Sequence, residues 1–538
     1  MNEHEERVLH LVGEDTRYRG ENQKQFRRED GMRESIVYDH PVHYKKDGAW
    51  ERIDNTLRRE KGKDGKEVYR NAASSLEAAL ATELGAEKTV SLTHKGKTLS
   101  WQIEGLEKGS KGEVLPVEEE KDHDQALIQP KELFSSVKYE KALNGADLIY
   151  ELDSVLLRER VVLHSAEEGR EKYAYTFQWD GEIQETEEGL LFCAGEETLL
   201  RLHTPELIDD KGEYAETKTE LKKTGAGDYS YTVTVPLDWL RAEERSYPVV
   251  LDPSVGVPFK DYIVDYHISS SGTVKDRDSL MVGSRNAYRS VIKPDLSTVT
   301  FPDDCFLQEA DLVMSRYVYD GTNDGNTKNV AVQLYLSTIT WPSNSSQIAT
   351  LYNAIDTTQA DSQAKAGAAN QLSSWDITEI GRKWNAGQDT DKGLLLKSFD
   401  DSTYVYFRSS KFSARYNTHP YFSFLFVDAN GKDDRWNYYS QSTSRCGTAS
   451  INTYSGSLHL ERADGQVTNG CLPVVAGFSY NGADRDTDIG YGKGYTMSFA
   501  QKLQEVHFSD PVYGSETKHL CLTDGQGTDR YYLYKSST

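Results

Sequence analysis

The chain has 538 residues and a formal net charge of −24, from 86 acidic and 62 basic side chains. That length is too great for one ordinary hydrophobic core, so several domains are expected. The charge offers no basic footprint for phosphate backbones and repels anionic bilayers, and no apolar run reaches the roughly 18–20 residues of a spanning helix; the expectation is no nucleic acid and no membrane insertion.

Charge divides the chain. Residues 1–254 carry a net −18, residues 255–430 a net −4 and residues 431–538 a net −2. The first part is rich in Glu and Lys, whereas the rest shifts toward Ser, Thr, Asn, Tyr and Gly, a composition of exposed β-domains. The expected organisation is an N-terminal extension (residues 1–30), a β-rich domain (31–254), a β-sandwich (255–430) and a β-rich final segment (431–538).

In chain order, the opening MNEHEERVLHLVGEDTRYRG carries no apolar signal core. SIVYD (residues 35–39) reads as a strand, and VHYKKDGAW (42–50) as a hairpin turning at Asp47-Gly48, where a tight turn needs positive φ. PVEEEKDHD (116–124) concentrates charge as a solvated loop does. DLIYELDSVLLRERVVLH (147–164) holds two strands, and YSYTVTV (229–235) alternates at period two. SYPVVLDP (246–253) is a buried strand between two prolines, which cannot donate ladder hydrogen bonds; Pro253 marks the expected boundary.

In the middle segment, Asp376 and Glu379 have the spacing of a capping box, and Ile377, Ile380, Gly381 and Trp384 fall on one helical face. A short amphipathic helix is expected there, stopped by Asn385-Ala386-Gly387 and followed by strands in GLLLKSF (393–399) and STYVYFRSS (402–410). One helix among short strands points to a β-sandwich in which Trp341, Trp375 and Trp384 are core. The last segment has turn signals at Asn481-Gly482, at Gly490 to Gly494 and at Asp524 to Gly527, which predict a run of hairpins; with only four residues after YYLY (531–534), the segment is expected to be incomplete.

Local signatures of catalysis are absent: there is no His-Glu-x-x-His, no Gly-x-Ser-x-Gly and no Walker spacing. Five scattered cysteines, without a Cys-x-x-Cys pair, read as isolated thiols, with one disulfide among Cys446, Cys471 and Cys521 left open. His40 and His43 flank a proline at a strand edge and read as surface histidines rather than a metal pair. Asp320 to Asn326 is loosely calcium-like, but Ala331 stands where an EF-hand loop needs its bidentate Glu, so a hairpin turn is expected. No catalytic residue, metal or cofactor is assigned.

Three strings carry a resemblance: VHYKKDGAWERIDNTL (42–57), ADLIYELDSVLLRERVVL (146–163) and LDWLRAEERSYPVVLDPSV (237–255). Together they look like the N-terminal region of large bacterial wall-associated proteins, mostly from Firmicutes, that continue into DNRLRE domains and Rhs/YD repeats. YRSVIKPDL (288–296), FLQEADLVM (306–314), SSWDITEIGRKW (373–384) and YVYFRSS (404–410) resemble the DNRLRE domain, which is similar to a carbohydrate-binding module. The eponymous DNRLRE string itself does not occur there. DRWNYYSQSTSRCGTASINTYSGSLHL (434–460) and GYGKGYTMSFAQKL (490–503) resemble the entry to an Rhs repeat region.

The resemblance implies a mainly β, multi-domain fold: an antiparallel β-sandwich N-terminal region, a jelly-roll-like middle sandwich and a β-hairpin-rich start of an Rhs-like region. It implies a secreted or cell-surface protein that contacts glycans and presents a downstream Rhs cage, without enzymatic activity. Its partners are then a polysaccharide, anionic in preference, and the Rhs repeats of a longer protein. Arg289, Lys293 and Arg408 are the residues expected to line an anionic-sugar surface, because cationic side chains recognise carboxylates. Two alternatives stay open: a polysaccharide-degrading enzyme with a carbohydrate-binding appendage, and an inert scaffold of a polymorphic-toxin delivery protein.

Overall fold

The computed structural model describes residues 10–533 apart from 63–64, 86–87, 118–120, 187–188, 276–278, 284–286, 303–304, 318–329, 357–359, 367–370, 399–403, 412–418, 434–435, 469–472 and 511–514. The calcium-like stretch at Asp320 to Asn326 and Cys471 lie outside the described residues. The fold is mainly β, with 56% strand against 10% helix, in several antiparallel sheets, none of them closed into a barrel among the described residues.

The N-terminal region is built as two sheets facing across one core. The first runs Lys218–Lys223, Asp228–Thr234, Lys172–Gln178, Lys97–Ile103, Val90–His94, Glu77–Ala81, Glu67–Ala73 and Asp54–Lys61. The second centres on Phe134–Leu143, Ala146–Asp153 and Leu156–Leu163, joined through Ser254–Gly256 to Glu197–His203 and Gly189–Ala194. The period-two pattern explains the layering: Leu99, Trp101, Tyr175 and Tyr231 from one sheet meet Tyr150, Leu157, Leu200 and Val255 from the other. The predicted turn at Asp47-Gly48 is present, with φ of 51° and 86° between strands His43–Lys46 and Ala49–Arg52. Of the stretch 116–124, expected as a loop, residues 118–120 lie outside the described residues, and its end is helical: Asp122 accepts a hydrogen bond from Gln125 N and starts the helix His123–Ile128.

The middle sandwich has its own core. Strand Cys305–Tyr317 is long enough to serve both layers: it pairs Tyr421–Asp428 and Leu372–Asp376 in one, and its end pairs Tyr404–Arg408 in the other. Phe422, Phe424 and Phe426 point from the first layer toward Ile292, Leu394, Leu396 and Phe407 of the second. Each fully buried side chain of this size contributes roughly 1.5–3 kcal/mol. The helix Thr378–Asn385 packs on that core through Ile380, Gly381 and Trp384, the face read from the sequence. It begins one residue later than the capping box implies: Ile377 is the N-cap residue, and Asp376 accepts from Thr378 N at 2.8 Å. Trp375 and Trp384 are core, while Trp341 is half-buried over a smaller cluster around Ile268, Val291 and Leu395.

One hairpin ties the cores together. Strand Arg33–Tyr38 pairs Gln23–Arg28 on one side and Tyr421–Asp428 on the other, and it is buried on both faces: Ile36 and Tyr38 enter the N-terminal core, and Val37 the middle one. The neighbouring strand Leu11–Glu14 reaches Lys502–Asp510 through Glu14 opposite Ser509. Sheet pairing therefore crosses residues 30 and 430. The last segment adds a five-stranded sheet from Tyr438–Ser442 to Tyr495–Met497 and the meander Lys502–Asp510, Ser515–Thr523 and Asp529–Leu533.

Candidate functional site

Where the N-terminal sandwich meets the middle one, an open cleft of about 850 Å³ runs between Asp153, Arg158, Arg201 and Asp252 on one wall and Phe259, Tyr266, Ser410 and Lys411 on the other. The aromatic part of this wall includes Phe259, exposed and stacked on Tyr262 with ring centroids 6.0 Å apart and planes at 11°. The charged part mixes Arg158, Arg201 and Lys411 with carboxylates, in a protein that is otherwise strongly acidic.

Asp39, His40 and His419 also line this cleft. Asp39 Oδ1 lies 2.6 Å from His40 Nδ1, and its Oδ2 lies 2.6 Å from His419 Nδ1. The two imidazoles meet edge to face at 5.4 Å. Burial works against charge at Asp39, but the two imidazoles outweigh it and hold the carboxyl well below the usual range. Burial likewise opposes the His419 imidazolium, yet the Asp39 carboxylate wins and pushes it up to about 9. At neutral pH, without a ligand, the pair is ionic.

His43 takes no part in this cluster, and it is not a surface residue. It is fully buried, its Nδ1 2.6 Å from Gly20 O and its Nε2 3.0 Å from Glu14 Oε1, while Arg19 grips the same carboxylate at 2.7 and 2.9 Å. This network fastens the first strand to the hairpin that follows Pro41. It is structural: Lys24, buried beside it, is pushed down to about 8 by burial despite the attraction of Glu14.

The three expected sugar-binding cations occupy different environments. Arg289 is buried, donates from Nη1 to Tyr352 O and lies over the Tyr352 ring at 4.2 Å. Lys293, four residues along the same strand face, is half-buried, which lowers its pKa. Arg408 is buried opposite Ser279. Arg289 and Lys293 share the outer face of the strand Tyr288–Pro294 with Val291, while Ile292 faces the sandwich core. The cleft side chains escaped the sequence reading because Asp39 and His419 are 380 positions apart. A faint signal existed: the sequence contains two His-Pro dipeptides, His40-Pro41 and His419-Pro420, and both histidines belong to the cluster.

Among the described residues Cys193, Cys305 and Cys521 are buried thiols and Cys446 an exposed one, none of the four in a disulfide. No described helix is long and apolar enough to cross a membrane. Compared with known proteins, the chain matches no family model and no curated protein.

Proposed function

We infer that the chain is a non-enzymatic surface platform whose last segment seats further antiparallel β-hairpins, the arrangement expected of an Rhs/YD-repeat protein. The observation that carries this reading is the distribution of exposed apolar side chains. Of fifteen large hydrophobic residues exposed among those described, eleven lie between Tyr439 and Tyr532. Three of them form a row across adjacent strands: Tyr439 is opposite Ile451, and Ile451 is opposite Leu458. A continuous apolar row on an open sheet is what a second β-layer packs against, and monomeric surfaces seldom leave one uncovered. The occupant proposed is β-hairpin repeat of the Rhs kind, because the sequence strings at 434–460 and 490–503 resemble the entry to such an array.

The test mixes the purified full chain with a separately purified Rhs/YD-repeat array. Co-elution in size-exclusion chromatography, together with loss of the hydrophobic-dye fluorescence of the chain alone, is the expected result. No dye binding by the chain and no association would sink the reading.

A second reading, glycan contact, rests on the cleft. Phe259 offers a flat aromatic face, and Arg158, Arg201 and Lys411 line the same walls, the combination that stacks on a sugar ring and pairs with its carboxylate. This moves the expected contact away from Arg289 and Arg408, whose guanidinium groups are buried. A glycan array probed with the full chain should show binding to anionic polysaccharide that Phe259→Ala abolishes and Lys293→Ala leaves intact. Loss on Lys293→Ala alone would return the site to the outer sheet face, and release of new reducing ends from any polysaccharide would favour the enzyme alternative.

A further inference from the structure

The antiparallel register of Arg33–Tyr38 with Tyr421–Asp428 runs from Arg33 opposite Phe426 to Tyr38 opposite Tyr421. Continued two steps, it sets His40 opposite His419. Each of these histidines precedes a proline, which restricts its backbone to extended conformations and removes the next ladder donor. The ladder therefore stops at Tyr38 and Tyr421, and the side chains just beyond it converge at the mouth of the cleft.

Convergence alone would make an Asp-bridged pair of imidazoles. Two further observations point to a ligand. One donor atom from each of Asp39, His40 and His419 lies within 4.8 Å of the other two. A void of about 10 Å³, bounded by the same three side chains with Gln129 and Leu133, adjoins the cluster. That is close to the space of one water-sized probe.

We propose that Asp39, His40 and His419 bind a divalent transition-metal ion, zinc in the first place, with the remaining coordination position facing the cleft. Two imidazoles and one carboxylate are a donor set for zinc and its neighbours, whereas calcium and magnesium ask for six or more oxygens. At bond lengths of about 2.0–2.2 Å, tetrahedral donor atoms stand about 3.3–3.6 Å apart. The present 2.6 Å contacts need to open by no more than about 1 Å, a movement within reach of side-chain rotation once the metal displaces the Nδ1 protons. Bound there, the ion fastens the end of the hairpin strand to the start of Tyr421–Asp428, the junction between the two large cores. The inference does not depend on glycan binding or on Rhs presentation.

The experiment uses the full chain stripped with a chelator and dialysed against zinc, cobalt or calcium. The expected result is one bound zinc per chain by elemental analysis, visible absorption of low-symmetry cobalt, and a rise in Tm with zinc but not with calcium. His40→Gln, at the partly exposed member of the cluster, should weaken zinc binding at least about tenfold. His507→Gln, an exposed histidine beside Glu505 and Glu516, should leave it unchanged. His419→Gln and Asp39→Asn should match His40→Gln; if either fails to fold, the cobalt spectrum of the His40→Gln chain still decides. Absence of stoichiometric zinc, or zinc uptake that persists unchanged in His40→Gln, overturns the proposal.

Discussion

The N-terminal and middle sandwiches and the last segment use similar strands to different ends. The N-terminal part is the most acidic, at a net −18 for residues 1–254, yet it holds the largest core, with Tyr139, Tyr150, Tyr173, Tyr175 and Tyr231 all buried. The last segment is nearly neutral and leaves five of its described tyrosines exposed, Tyr439 at 67% and Tyr532 at 51% among them. Net charge thus says little about how well a β-layer is covered. What differs is the number of layers: a half-buried strand reads the same whether or not a second sheet stands opposite.

That contrast can be broken by substitutions of graded cost. The largest effect is expected at Trp375, fully buried, edge-on to Phe407 and donating from Nε1 to Val332 O at 2.9 Å. Trp375→Ala should cost about 3–5 kcal/mol in a urea titration of the full chain. A loss below about 1 kcal/mol would mean that the middle core is not packed as described.

Next comes Glu159, buried in the N-terminal core, where its Oε2 accepts from Trp101 Nε1 at 2.7 Å. The hydroxyls of Tyr150 and Tyr175 face it without closing ordinary hydrogen bonds, and burial pushes the carboxyl up to about 7. Because the folded value lies above the unfolded one, the native state holds more protons; stability is full below pH 4.5 and falls as pH rises through 7. Glu159→Gln should therefore add up to roughly 3 kcal/mol at pH 8 and nothing near pH 4. Denaturation midpoints measured across that range check the sign, and a gain that is the same at both ends would refute it.

Gly381 gives a smaller effect. A Cβ there would stand 2.8 Å from Ala310 Cβ and 3.0 Å from Leu307 Cδ2, so the helix can approach the sheet only without one. Gly381→Ala should cost about 1–3 kcal/mol by overpacking, despite the better helix propensity of alanine. Unchanged stability would show that the helix rides further from the sheet.

The sequence made the local features legible and the distant ones not. Asp47-Gly48, the paired strands around Ser154 and the face through Ile380, Gly381 and Trp384 all follow from turn chemistry or periodicity within a few residues. The double burial of Ile36 and Val37 was invisible, since an apolar pair in a short strand does not say which layers it separates. Residues 11–28 carry the polar run Gln23 to Gln25, yet these side chains are buried by partners from far along the chain, as when Gln23 bonds with Thr300. The Asp39–His419 contact is of the same kind: it depends on which strand lies beside Arg33–Tyr38, a question of long-range pairing that local pattern does not encode.

The smallest effect on stability tests the contrast most directly. Leu503 is 63% exposed on strand Lys502–Asp510, opposite Leu522, and its side chain gains little from the fold. Leu503→Ser should change stability by no more than about 0.5 kcal/mol, because a residue already in water has almost no burial to lose. Combined with Tyr439→Ser, which removes one member of the exposed row on the five-stranded sheet, it should nonetheless reduce hydrophobic-dye binding and, if that row seats an array as proposed, weaken association with it. If the double variant instead unfolds the segment, these side chains are already packed within the isolated chain, and the distinction between covered and uncovered layers disappears. If stability and dye binding both stay unchanged, the exposed row is not the accessible apolar surface, and the seat for further hairpins has to be sought at the sheet edge formed by Asp529–Leu533.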